Sequence, residues 1–388
     1  MNSVANNYNR KKIVFSHGKG LYLYTNGGDK YIDLAAGIAV NLLGHSNKEL
    51  INALNTQSKK LWHVSNLYEI EEQVTLASKL TNCSFAHKVF FCNSGAEAVE
   101  CTIKAARRYH FSKGKSEKTE IITFKGSFHG RTLGTIAAAS NSSHLEGFGE
   151  PLKGFVSIER NDINQLKKVC NEKTAAILIE PVQGEGGINV FDKKFINSLQ
   201  VIAKRMDLLI LFDEVQCGVG RTGKMFAHEW FDTKPDVMAL AKGLGGGFPI
   251  GACLMRGDVA EALIPGTHGS TFGGNPLAMA VGNCVMDIVN KTDFLSGVEK
   301  KGLFFKEQLN NLCEKYPEVI DEIRGLGLMI GIKCNADNNL LANKLFENGI
   351  LTVNAADNVI RILPPLNITM TEIKRVLSLF EKSIKEIL

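Results

Sequence analysis

The chain has 388 residues, 44% hydrophobic and 22% charged, with a net charge of +5. This balance excludes intrinsic disorder, collagen and coiled coil, and the basic excess is too small to argue for nucleic acid or an anionic membrane. Nine cysteines stand no closer than nine residues apart, which excludes a zinc site built on close cysteine pairs and argues against a disulfide framework. Met1–Lys12 is polar and carries no apolar signal segment, and no stretch reaches membrane-spanning length. These features predict a cytoplasmic protein with no nucleic-acid or membrane partner and no metal.

In chain order, residues 21–34 alternate around Asn26-Gly27-Gly28-Asp29 and predict a hairpin. From about 70 to 265, short apolar runs alternate with amphipathic stretches. The runs are Val89–Cys92, Glu120–Phe124, Ala175–Ile179, Leu208–Phe212 and Val237–Leu240. Continuous apolar strands between helices predict an α/β fold whose mostly parallel sheet is covered by helices on both faces. A helix over 296–315, strands at Ile323–Lys333 and Ile360–Leu363, and a helix over 371–387 predict a smaller α+β domain. The expected division is 1–45 joining the small domain, 46–279 as the large domain and 280–388 as the small one.

Ligands of such sheets bind beyond the carboxyl ends of the strands, so the residues after each run carry the functional information. Ser94-Gly95-Ala96-Glu97 follows the first run. It reads as a capping box and equally as a phosphate site at a helix N-terminus. Phe128-His129-Gly130-Arg131 follows the second, on a loop. Glu180 and Glu185 follow the third in a Gly-rich loop, a pair that leaves glycoside hydrolysis open. Asp213-Glu214-Val215-Gln216 follows the fourth. A carboxylate ending an apolar strand needs a cationic partner, from the protein or from a cofactor.

Gly218–Met225 matches the GxGxxG spacing and nearly matches a P-loop. Met225 replaces the metal-binding hydroxyl, and the segment does not pass straight from strand to helix. Both nucleotide readings fail on context, which leaves a mobile Gly-rich loop. Lys242 closes the fifth run before Gly243-Leu244-Gly245-Gly246-Gly247, where an amine in a dry, cationic setting becomes a nucleophile.

Taken together, these loops ask for one ligand with a phosphate, a flat ring, a cationic ring nitrogen and an aldehyde. Pyridoxal 5'-phosphate (PLP) has all four. From Asp213 to Lys242 with its Gly-rich follower, the chain resembles the class III, fold-type-I PLP-dependent aminotransferases. The matching stretches also include Asp33–Asn41 with Gly44-His45, Leu61-Trp62-His63 with Ser65–Tyr68, Gly269–Pro276 and Arg361–Leu366. The resemblance implies that Lys242 bonds to PLP and shuttles a proton, and that Asp213 pairs with the ring nitrogen. It implies that Val215 and Phe128 enclose the ring, that Gln216 reaches its oxygen, and that Ser94, Gly95 and Ala96 hold the phosphate. Thr271 would bind the phosphate of a partner subunit in a homodimer with shared sites, and Ser270 would lie beside the substrate.

The resemblance further implies amino transfer from N-acetylornithine to 2-oxoglutarate, giving N-acetylglutamate 5-semialdehyde and glutamate. Arg131 would hold the carboxylate of the first substrate and Arg361 that of the second, with Glu185 masking Arg361 in between. Gly37 would leave room for the acyl group. Succinylornithine, N-succinyl-diaminopimelate, ornithine and GABA are the alternative donors.

Overall fold

The computed structural model describes residues 3–139 and 141–388. Its centre is a seven-stranded sheet. The strand order is Lys88–Cys92, Gly251–Met255, Val237–Leu240, Leu209–Asp213, Thr174–Ile179, Glu120–Phe124 and Phe155–Ile158. Gly251–Met255 runs antiparallel to both strands beside it, Lys88–Cys92 and Val237–Leu240, and the other neighbouring pairs are parallel.

The middle strands are buried along their whole length, which is why they read as unbroken apolar runs. Alternate side chains point to opposite faces. Leu209 and Leu211 join one core with Ala98, Val99 and Ala106 of the helix Gly95–Ser112. Ile210 and Phe212 join the other, with Phe195 and Leu199 of the helix Lys193–Met206. Each helix contributes one apolar stripe, and the sheet is closed on both sides.

A second, antiparallel sheet has the order Ile320–Leu326, Met329–Cys334, Val359–Ile362, Val353–Ala355. The helices Thr292–Lys315 and Met370–Lys385 belong to this part of the chain. The latter starts at a reciprocal cap. Thr369 Oγ1 accepts the Glu372 N–H at 3.2 Å, and the Glu372 carboxylate accepts the Thr369 N–H at 2.8 Å. It buries Ile373, Val376, Phe380 and Ile384 at helical spacing. The N-terminal strands Tyr22–Thr25 and Lys30–Asp33 form the predicted hairpin. Ile32 and Asp33 pair with Ile350 and Leu351 from far along the chain.

Two expectations are corrected. Ile323–Lys333 is not one strand but the two arms of a hairpin, because the chain reverses at Gly327, whose φ is +53°. Gly218–Gly223 is not an exposed mobile loop. It is buried throughout, and Arg221 at its centre is wholly covered. Two strands of the large sheet, Phe155–Ile158 and Gly251–Met255, lie in segments with no run singled out in the sequence.

Candidate active site

A cavity of about 400 Å³ opens beyond the carboxyl ends of the parallel strands, and Ser94, Gly95, Ala96, Phe128, Asp213, Val215, Gln216, Lys242 and Arg131 all line it. Residues from four separate loops therefore converge, as the strand-end rule requires.

Asp213 ends its strand 3% exposed. Its Oδ2 lies 2.8 Å from His129 Nδ1, and its Oδ1 accepts the Val215 N–H at 3.0 Å. A carboxylate only accepts, so His129 Nδ1 carries the hydrogen. Nε2 of the same buried ring has no partner among the described residues. Glu214, next in sequence, points the other way. Its two oxygens accept the N–H groups of Ala227 and His228 at 2.6 and 2.8 Å, and burial pushes its carboxyl up to about 8.

Lys242 follows its buried strand in a left-handed conformation, φ +44°. For a residue with a side chain this is strained, and such strain concentrates at functional positions. Desolvation pulls its amine down to about 8; Arg361 also lowers it, while Glu185, Glu180 and Asp213 oppose the shift. A larger neutral fraction near neutrality is what a nucleophilic amine needs.

At the other wall, Ser94 caps the helix Gly95–Ser112 by accepting the Glu97 N–H at 3.3 Å. The cap is not the predicted reciprocal box. The Glu97 carboxylate takes the N–H of Asn93, at 2.8 Å, one residue before the cap position. Capping leaves room for an anion site here, because first-turn N–H groups have no partner inside a helix and Gly95 and Ala96 line the cavity. Gly95 has no room for a side chain: a Cβ there would lie 2.7 Å from Val215 Cγ1.

Arg361 is 1% exposed. Its guanidinium meets Glu185 through two contacts, at 2.6 and 3.0 Å, and reaches Gln216 Oε1 and the Asn354 carbonyl, each at 3.3 Å. Gln216 thus connects this pair to the cavity. Arg131 has no ion-pair partner among the described residues, and its guanidinium lies 5.5 Å from the Phe128 ring centre. Ser270 Oγ accepts from Asn93, a cavity residue, at 3.3 Å. Thr271 is exposed and lies outside the cavity of its own chain. Gly37 is also outside the lining, within a left-handed turn over Ala36–Ala39, while Val40 lines the wall. Cys217, next to Gln216 of the cavity wall, is 1% exposed, and burial raises its thiol far above the usual range.

The resemblance to the aminotransferases implied no role for three cavity residues. His129 orients Asp213, and Asn93 joins the helix start to Ser270. Glu180 is 4% exposed and accepts the Phe128 N–H at 3.0 Å. Burial and the nearby Asp213 push its carboxyl well above the usual range. The signal for His129 was present, since a buried strand-end aspartate demands a partner.

These residues fit PLP. An oriented buried acceptor, a helix N-terminus with free donors, an amine of lowered basicity, and Val215 and Phe128 on the walls share one cavity.

The class III aminotransferase profile matches residues 3–384. The chain is 52% identical over 369 residues to an acetylornithine aminotransferase of Mesorhizobium japonicum, covering 95% of this chain and 92% of that one. Its fold superposes with a TM-score of 0.95 on an ornithine aminotransferase from Toxoplasma gondii with PLP in partial occupancy at the active site, at 31% identity over 99% of this chain and 92% of that one. With the N-acetylornithine aminotransferase of Stenotrophomonas maltophilia the TM-score is 0.85, at 36% identity over 98% and 97% of the two chains. The chain thus belongs to the class III aminotransferases and is a PLP-dependent enzyme that transfers amino groups.

Proposed function

We propose that the enzyme transfers the side-chain amino group of N-acetylornithine to 2-oxoglutarate, producing N-acetylglutamate 5-semialdehyde and glutamate, as a step of arginine biosynthesis in the cytoplasm. One observation carries this reading: of the two arginines beside the site, Arg131 has no ion-pair partner among the described residues and Arg361 is covered by Glu185. A donor carboxylate then has Arg131 to bind, which favours donors that react at the side-chain end. The acylornithine donor is supported by the names and roughly 50% identity of curated relatives.

PLP, when bound, supplies the aldehyde that accepts the amine and the ring that takes up charge from the substrate carbon. The chain's own residues do the rest. Lys242 would take the proton that leaves the amine-bearing carbon of the donor and pass it to the cofactor carbon that receives the amine. Asp213, held at both oxygens by His129 and Val215, keeps a negative charge facing the ring nitrogen. The N–H groups of Gly95 and Ala96 anchor the phosphate. In the second half of the cycle Glu185 swings aside, and Arg361 receives the carboxylate of 2-oxoglutarate as a bidentate partner.

The proposed assembly is a homodimer. Trp62, Leu67, Tyr68 and Phe272 are exposed on one stretch of surface, where His63 packs on Phe272 at 5.2 Å and Asn66 donates to the carbonyls of Ser270 and Gly273. A second copy seated there covers this apolar area and brings Thr271 to its partner's phosphate site.

The test is the absorbance of the PLP-loaded enzyme mixed with N-acetylornithine and no oxo acid. Conversion to the aminated cofactor, faster than with ornithine or GABA, is the expected result. Equal or faster conversion with ornithine would overturn the donor assignment.

A further inference from the structure

We infer that Arg221, in the Gly-rich loop after the Asp213 strand, is a positioning residue that sets where Arg361 stands in the active site. The inference rests on the proposed role of Arg361 as receiver of the oxo acid.

Arg221 is wholly buried and has no carboxylate within ion-pair distance among the described residues. Such burial is costly, and only part of the cost is offset by hydrogen bonds. Nη1 donates to the carbonyls of Leu328 and Pro364, at 3.1 and 2.6 Å, while Nε and Nη2 have no partner among the described residues. These two carbonyls are not an arbitrary pair. In the second sheet Ile330 stands opposite Ile362, and Gly331 opposite Arg361. Continuing that register by two residues sets Leu328 opposite Pro364, just beyond the ladder. One guanidinium nitrogen therefore clamps both strands at the same level, three residues from Arg361.

The backbone repeats the contact. The Arg221 carbonyl accepts the Leu328 N–H at 3.1 Å, so the residue holds Leu328 from both sides. The hairpin turn approaches so closely that a Cβ on Gly327 would lie 2.3 Å from the Thr222 carbonyl carbon. Gly327 thus permits the turn to pack closely on the loop, and Arg221 in that loop supplies the directional bonds. Asp213 and Arg221 lie eight residues apart on one segment that is buried except at Val215. The latch therefore refers the position of Arg361 to that of Asp213, with the Gln216–Arg361 contact as a second tie.

A plain structural brace and a positioning residue make different predictions. The donor half-reaction uses Lys242, Asp213 and Arg131 while Glu185 covers Arg361. Only the oxo-acid half-reaction needs Arg361 in place. Misplacing a binding group by about 1 Å costs up to roughly a hundredfold.

The experiment measures both half-reactions on PLP-loaded enzyme for Arg221→Met and Arg221→Lys. Gly302→Ala is added because a Cβ there would press on the Gly327 carbonyl oxygen at 2.4 Å and displace the turn without touching the guanidinium. The expected result is an apparent KM for 2-oxoglutarate raised roughly tenfold or more in Arg221→Met and Gly302→Ala, less in Arg221→Lys, with an unchanged donor half-reaction. Equal losses in both half-reactions, no loss in either, or failure of both Arg221 variants to fold would overturn the assignment. Arg361→Ala is the control. If it leaves the KM for 2-oxoglutarate unchanged, the reading of Arg361 itself fails, and the two failures are told apart.

Discussion

Removing the carboxylate that covers Arg361 is the sharpest test of the two-substrate site. In Glu185→Ala the guanidinium keeps its contacts at 3.3 Å to Gln216 and the Asn354 carbonyl, and loses two charge-assisted contacts of 2.6 and 3.0 Å. A hydrogen bond between charged groups is worth about 1.5–3 kcal/mol net. The Glu185 side chain is 34% exposed, so water screens the pair and its carboxylate is rehydrated when it leaves. After that discount, about 1–2 kcal/mol must be overcome before an incoming carboxylate can displace Glu185. This amounts to a factor of roughly 5–30. Glu185→Ala should therefore lower the apparent KM for 2-oxoglutarate by about that factor. It should also open the site to donors carrying an α-amino group, which then compete with N-acetylornithine. Steady-state kinetics at varied oxo acid, together with single-turnover absorbance with glutamate and with N-acetylornithine, measure both effects. An unchanged or raised KM with unaltered donor preference would refute the masking argument.

Three further outcomes follow from the geometry. The amine of Lys242 is pulled down to about 8 by burial, and only its neutral form attacks an aldehyde, so the rate of covalent PLP uptake by the apoprotein should rise with pH and reach half its maximum near pH 8. A rate still climbing steeply toward pH 10 would contradict this. Asp213→Asn keeps the shape of the site but removes the charge that His129 and Val215 hold in place. Turnover should fall by roughly a hundredfold or more while absorbance still reports bound PLP; turnover near the native rate would remove Asp213 from the chemistry. Phe212 is fully buried between the sheet and its covering helices, so Phe212→Ala should cost about 3–5 kcal/mol in denaturant unfolding, and a loss below 1 kcal/mol would show that the packing there is loose.

Much of this protein is readable locally. An unbroken apolar run such as Ala175–Ile179 can be covered on both faces only inside a parallel sheet, and strand ends in such sheets place their next residues at one edge. That logic alone brings Ser94, Phe128, Asp213 and Lys242 together, and the structure puts all four on one cavity. Side-chain chemistry then narrows the ligand, because phosphate, ring nitrogen and aldehyde each require a different partner.

Tertiary packing decided the rest. Glu185 and Arg361 are 176 residues apart, and no periodicity reports that the second sheet lays its strand against the Gly-rich loop of the first. His129 and Asp213 are 84 apart, so the orienting bond exists only once two loops meet. The antiparallel strand Gly251–Met255 escaped notice because direction is set by its neighbours, not by its composition. Gly218–Gly223 shows the limit most clearly. A run of glycines specifies only that the backbone is unencumbered. Whether that freedom serves a phosphate, a moving loop or the close approach of another element depends on what the fold places next to it, here the helix Thr292–Lys315, whose Leu295 and Glu299 a Cβ on Gly220 or Gly223 would meet.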